Sequence, residues 1–108
     1  MNITESEGGV KFDQDKPRPE LYSPQAILAV SKILAYGAKK YADRNWEKGI
    51  VYSRIYGALQ RHLLAFWSGE DIDPESGLPH LSHAGCCMMF LLHYESDVEM
   101  LENLDDRP

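Results

Sequence analysis

Long apolar runs are missing from this chain of 108 residues. Nothing in it approaches the roughly 18 or more consecutive apolar residues of a membrane-crossing helix. Its first residues also lack the apolar stretch of a secretory leader. The chain is therefore expected to work in the cytoplasm, with no membrane partner. Cysteine is scarce, with Cys86 and Cys87 the only two. Neighbours on a helix point about 100° apart, which disfavours a mutual disulfide, and neither has the C-x-x-C spacing of a zinc or redox motif. They read as reduced core thiols. Cations are nearly absent from one half: residues 69–108 hold one Lys or Arg against ten Asp or Glu, a balance of -9. Residues 1–68 hold ten against seven, a balance of +3, and the two halves make up the net charge of -6. A long nucleic acid would ask for a net basic surface, so none is expected. A basic half that cradles phosphates, beside an acidic turn able to hold a metal, suits a small anionic ligand instead. Glu95, Asp97, Glu99, Glu102, Asp105 and Asp106 read as the solvated face and tail of the last helix.

What the chain does have is chemistry concentrated in Arg61 to His83, RHLLAFWSGEDIDPESGLPHLSH, with three of the four histidines and four carboxylates. Arg61 and His62 lie on a helical pattern that Gly69 ends. Glu70, Asp71, Asp73 and Glu75 follow in a turn-rich segment, and His80 and His83 begin the next helix. Residues on both sides of such a loop can converge between two antiparallel helices. Carboxylates with one or two imidazoles suit magnesium, manganese or zinc, and spacing does not choose among them.

The length predicts one domain, residues 1–108. Residues 1–7 are polar and aperiodic and are expected to be mobile. Two glycines and two prolines in GGVKFDQDKPRPEL exclude a long helix, so residues 8–22 are expected to form an ordered arm, with Lys11, Lys16 and Arg18 within reach of a phosphate. Ser23 as N-cap and Pro24 at the first helical position start a first helix. Its predicted inner face carries Ile27, Val30, Leu34 and Tyr41, and Gly37 is expected to mark a close helix crossing. A second helix, roughly residues 53–68, places Ile55, Leu59, His62, Leu63 and Phe66 on or near one face. A third is expected from His80 to Leu104, with Leu81, Ala84, Met88, Leu91, Val98 and Leu101 as its buried stripe. The fold class is therefore all-α: a compact three-helix domain, core residues 23–104, completed by homo-oligomerisation because a small domain buries a low fraction of its surface.

The order KFDQDKPR, GAKKYADRNW, RHLLAFWSGEDIDPESGLPHLSHA resembles the phage-associated family described as the N-terminal domain of dATP/dGTP diphosphohydrolases, over roughly residues 8–95. The resemblance implies cleavage of the α–β bond of a purine deoxynucleoside triphosphate with magnesium or manganese. By position it points to Lys11, Asp13, Lys16, Arg18, Lys40, Tyr41, Asn45, Trp46, Arg61, His62, Glu70, Asp73, Glu75, Ser76, Gly77, His80 and His83. The chain departs from the compact pyrophosphohydrolases of the MazG type, whose helices carry Glu-x-x-Glu and Glu-x-x-Asp. Its nearest equivalent is Glu70-x-x-Asp73, in or beside the loop.

Hydrolysis of a phosphoanhydride needs a cation, donors for the leaving pyrophosphate and a means of activating water. Glu70, Asp73 and His80 are expected to hold the metal, with His62 and His83 as second choices. Glu75 is assigned to water. Arg61, Lys16, Arg18 and Lys40 are assigned to phosphates, Lys11 and His62 to the ligand, and Asn45 and Trp46 to the base. The alternative is a protein that binds or sequesters a nucleotide, such as a cyclic or signalling one, without cleaving it.

Overall fold

The computed structural model of the chain describes residues 8–12 and 14–108. The mobility expected of residues 1–7, and Asp13 of the family motif, lie outside the described residues. Among those described there are four α-helices: α1 Pro24–Lys40, α2 Tyr52–Trp67, α3 His80–Glu95 and α4 Val98–Leu104. Short 3-10 turns at Pro19–Leu21 and Asn45–Lys48 precede α1 and α2. No described helix is long and apolar enough to cross a membrane.

The start of α1 follows from its first two residues. The Ser23 hydroxyl accepts from the Ala26 N–H, and Pro24, which has no N–H to leave unpaired, occupies the first helical position. The expected single helix from His80 to Leu104 is instead two. The chain leaves α3 at Ser96, and the Asp97 carboxylate accepts from the Glu99 and Met100 N–H groups, so a new helix starts there. A local cap thus overrides an apolar spacing that runs on through Val98 and Leu101.

Helices α2 and α3 pack antiparallel, so Tyr52 at the start of α2 meets Tyr94 at the end of α3. These two and Ile55 form the buried core, with Trp46, Ile50, Phe90, Leu91, Leu101 and Leu104 packed against it. Trp46 stacks on Phe90, ring centroids 4.8 Å apart, and its carbonyl accepts from the Tyr94 hydroxyl. Leu104 folds α4 back over Gly49, whose φ of 106° and lack of a Cβ leave room for the leucine methyls.

Several expected core positions face outward: Ile27 on α1, Tyr41 just after it, Leu81 and Met88 on α3, and Val98 on α4 are exposed. Helix α3 packs against both α1 and α2, so its buried residues His80, Ser82, Ala84, Cys86 and Tyr94 surround more of the helix than a single stripe. The close helix approach is not at Gly37, where a Cβ would meet nothing within 4 Å, but at Gly85, where it would lie 3.1 Å from Val30. Nor is the molecule compact throughout. Its radius of gyration is 17.7 Å against about 13 Å for a compact domain of this size, and the described residues of the arm are all exposed.

Candidate functional site

The far end of the α2–α3 pair is built differently. After Trp67 the chain turns through Gly69, at φ 99°, into a loop that folds on itself. The Asp73 N–H donates to the Leu78 carbonyl at 2.9 Å and the Gly77 N–H to the Asp73 carbonyl at 2.7 Å, while the His80 N–H donates to the Asp71 carbonyl. Gly77, at φ 73°, supplies the left-handed residue this return needs. The Asp73 carboxylate holds the turn by accepting from the Glu75 N–H and the Ser76 hydroxyl. That closure delivers the first turn of α3 to the last turns of α2.

Three imidazoles meet there. His62 Nδ1 lies 2.9 Å from His80 Nδ1, and His80 Nε2 lies 2.7 Å from Glu70 Oε1. The His83 ring stacks on His62, centroids 4.4 Å apart and planes 4° from parallel. His83 Nε2 is 2.7 Å from the Ser76 hydroxyl oxygen and 3.4 Å from Asp73 Oδ2, and Tyr36 of α1 meets His83 edge-on. His80 is buried; His62, Asp73 and His83 are half-buried. Burial pushes the pKa of His62 down, and the neighbouring His83 and His80 push it the same way. Burial also lowers His83, partly opposed by Asp73. For Asp73, burial pushes upward, but the Glu75 N–H, the Ser76 hydroxyl and the two imidazoles outweigh it and hold the carboxyl below its ordinary value. Neutral imidazoles beside an ionised carboxylate are the protonation states in which these groups ligate a cation.

The cluster forms one wall of an open cleft of about 1030 Å³ between α1, the Asn45–Lys48 turn, α2 and the start of α3. Lys40, Arg44 and Arg61 bring positive charge to it; Tyr36, Tyr41 and Trp46 bring aromatic rings. Glu75 is paired with Lys40 at 3.4 Å. Arg44 pairs with Glu47 and holds a left-handed backbone, φ 55°, which for a residue with a Cβ is uncommon.

The model of the family described as dATP/dGTP diphosphohydrolase, N-terminal, matches residues 6–107. The chain belongs to this family. A phage relative, the dATP/dGTP diphosphohydrolase of Salmonella phage PMBT28, is 39% identical over 83 residues, which cover 77% of this chain and 28% of the relative. The chain thus spans under a third of the length of the curated relative it matches. No solved structure matches it significantly.

In this diphosphohydrolase-family domain the expected site residues divide into two groups. Lys40, Asn45, Trp46, Arg61, His62, Asp73, Glu75 and His80 all line the cleft. Glu70 stands behind it, bonded to His80. Lys11, Lys16 and Arg18 do not line it; they are exposed, and Arg18 pairs with Glu20. Trp46 presents little free ring face, because Phe90 stacks on it and His93 meets it edge-on. Glu95, Glu99 and Glu102 are solvated as expected, but the other three acids of the last helix and tail do specific work. Asp97 caps α4, Asp105 pairs with Arg107, and Asp106 accepts from Ser53. Tyr36 is a cleft residue that sequence reasoning passed over, and Arg44, within GAKKYADRNW, is one to which it gave no role. Tyr36 lies one turn before Lys40, and that spacing is the signal that would have found it.

Among the described residues, one set of donors has metal-binding spacing: ligand atoms of His62, Asp73 and His83 all lie within 4.8 Å of one another. Glu70 and His80 contribute a hydrogen-bonded pair beside that set. Two imidazoles and a carboxylate fit manganese or zinc; magnesium favours oxygen throughout.

Proposed function

We propose that the cleft binds a purine deoxynucleoside triphosphate and that this domain takes part in its hydrolysis to a nucleoside monophosphate and pyrophosphate. The observation that carries the reading is the cleft itself. It is large enough for a nucleotide, has Lys40, Arg44 and Arg61 for the phosphates, and holds an imidazole–carboxylate cluster on one wall. The names of the family and of the phage relative supply the reaction class.

In this reading the reaction forms a bond from a water oxygen to the α-phosphorus as the bond to the α–β bridging oxygen breaks. Pyrophosphate leaves with the electron pair, and water gives up a proton. Lys40 and Arg61 bind phosphate oxygens. Lys40 also holds Glu75 in the resting chain, so a triphosphate that takes over Lys40 releases the Glu75 carboxylate to orient the water or accept its proton. A manganese, zinc or magnesium ion, when bound, supplies charge neutralisation at the phosphates and lowers the pKa of a water. Tyr36 and Tyr41 offer faces to the base more readily than Trp46 does. The arm cations Lys11, Lys16 and Arg18 add long-range attraction. Exposed Leu64 and Trp67 on α2 are surface that self-association would cover.

The test is calorimetric titration of the purified chain with dATP, dGTP, dCTP and dTTP, with and without manganese, followed by ion-exchange separation of the nucleotides. Purine triphosphates should bind in preference and be recovered as monophosphate. Lys40→Ala with Arg61→Ala should weaken binding by roughly 100-fold, each lost charged contact removing about 1.4 kcal/mol or more. Absence of purine binding, or binding indifferent to both substitutions, rejects the cleft. Tight binding with the triphosphate recovered intact rejects turnover by this domain and leaves sequestration.

A further inference from the structure

The hydrogen bonds around His80 determine which nitrogen of His62 is free. An ionised carboxylate only accepts, so the 2.7 Å contact between Glu70 Oε1 and His80 Nε2 requires a proton on that nitrogen. In neutral His80 the other nitrogen, Nδ1, is then a lone pair. The 2.9 Å contact from His80 Nδ1 to His62 Nδ1 therefore requires the proton on His62 Nδ1. His62 Nε2 is left as a lone pair on a residue lining the cleft. A free histidine side chain prefers the opposite tautomer, with the proton on Nε2, so the pair Glu70 and His80 selects this one. A metal-ligating histidine typically donates its second ring N–H to a fixed partner, which sets the tautomer and strengthens the donor. Asp73 has equivalent support: the Glu75 N–H and the Ser76 hydroxyl donate to its two oxygens.

We propose that His62, Asp73 and His83 form a three-donor site for a borderline divalent cation, manganese or zinc in preference to magnesium, with Glu70 and His80 positioning His62 rather than ligating. Ligand atoms of the three lie within 4.8 Å of one another, and all three residues line the cleft. Three protein donors, rather than four, would match the ligand count of metal sites that act on substrate rather than brace a fold. The inference deepens the proposed function but does not depend on it, because the ion binds without nucleotide.

The experiment uses chelator-stripped protein titrated with zinc, manganese or magnesium chloride alone, followed by calorimetry and metal analysis. One zinc or manganese per chain is expected, with magnesium about 100-fold weaker or more. Asp73→Asn and His83→Ala should each lower zinc affinity by at least about 100-fold. Glu70→Ala, at a largely exposed residue, and His80→Ala should lower it by about 10- to 100-fold, the range for a supporting partner. His93→Ala, which removes the one histidine outside the cluster, should change nothing.

The positioning role has its own readout in nitrogen-15 spectra of the metal-free imidazoles. Wild-type His62 should carry its proton on Nδ1 and shift toward Nε2–H in Glu70→Ala, whether or not the His80→Ala chain folds. Three outcomes overturn the proposal. Zinc and manganese binding no stronger than in a His62→Ala/His83→Ala chain removes the site. Loss of binding in Glu70→Ala as complete as in His83→Ala makes Glu70 a ligand. An unchanged His62 tautomer in Glu70→Ala removes the positioning role.

Discussion

The two ends of the α2–α3 pair join the same helices in opposite ways. At one end Tyr52, Ile55 and Tyr94 close a dry core, roofed by Trp46 and Leu104. At the other, His62, His80 and His83 occupy the equivalent helix-to-helix positions: His62 is bonded to His80, His80 to Glu70 and His83 to Ser76, with the His83 ring stacked on His62. The first end gains from apolar burial and close packing. The second must satisfy each buried ring nitrogen with a partner to avoid a desolvation cost, and it opens onto the cleft. One end therefore carries the stability of the pair, while the other is shaped by the chemistry it presents.

The sharpest way to break that comparison is at the dry end. Tyr94 is fully buried and donates to the Trp46 carbonyl. Tyr94→Ala should cost about 3–5 kcal/mol, the range for removing a buried aromatic ring, measured by urea unfolding. A loss below about 1 kcal/mol would mean that the core lies elsewhere. At the wet end the expectation is smaller. Exchanging both partners of a buried polar contact for apolar groups is nearly neutral or stabilising, so His62→Leu with His80→Leu should keep stability within about 1 kcal/mol of wild type while abolishing zinc binding. A fall comparable with that of Tyr94→Ala would make the histidines structural and erase the distinction.

The smallest effect concerns the tail that fastens the dry end. The first turn of α2 has no side-chain cap from Val51. Asp106 supplies one from the far end of the chain, accepting from the Ser53 N–H at 2.8 Å and from the Ser53 hydroxyl. The Ser53 hydroxyl and N–H hold the Asp106 carboxyl below its ordinary 3.8. Hydrogen bonds from Arg107 hold Asp105 down at about 2. A folded-state value below the unfolded one means that the contribution is present above pH 3.8 and lost as the pH falls through the folded value. Protection of the Ser53 amide relative to its intrinsic exchange rate should thus fall as the pH drops below 3.8, before the Tyr94 end opens, and Asp106→Ala should show the lower protection already at neutral pH. Exchange at Ser53 that is independent of both would remove the clasp.

How far these features were legible depended on the distance over which their causes act. The cap at Ser23, the stop at Gly69, the return loop and the pairing of His80 with His83 one turn apart are local, and all were readable. The same loop brought Asp73, His80 and His62 to one end of the helix pair, as its length and direction require. The partners within that end were not readable, because a shift of one turn along α3 exchanges one imidazole for the next. Only packing assigns His83 to Asp73 and His80 to Glu70.

By itself the sequence determined the all-α class, the three principal helices, the acidic return loop, the separation of basic and acidic halves, and motifs specific enough to mark the family. Each depends on neighbours within a few turns, where backbone geometry and side-chain spacing suffice. Tertiary structure decided what acts at longer range: Gly85 rather than Gly37 at the helix approach, an arm that buries nothing, a tail acid capping a helix more than fifty residues earlier, and Tyr36 facing His83. These follow from how the helices rotate about their own axes when packed. That rotation is set by the whole of the buried surface, which α3 shares between two neighbours, and no single stretch of residues specifies it.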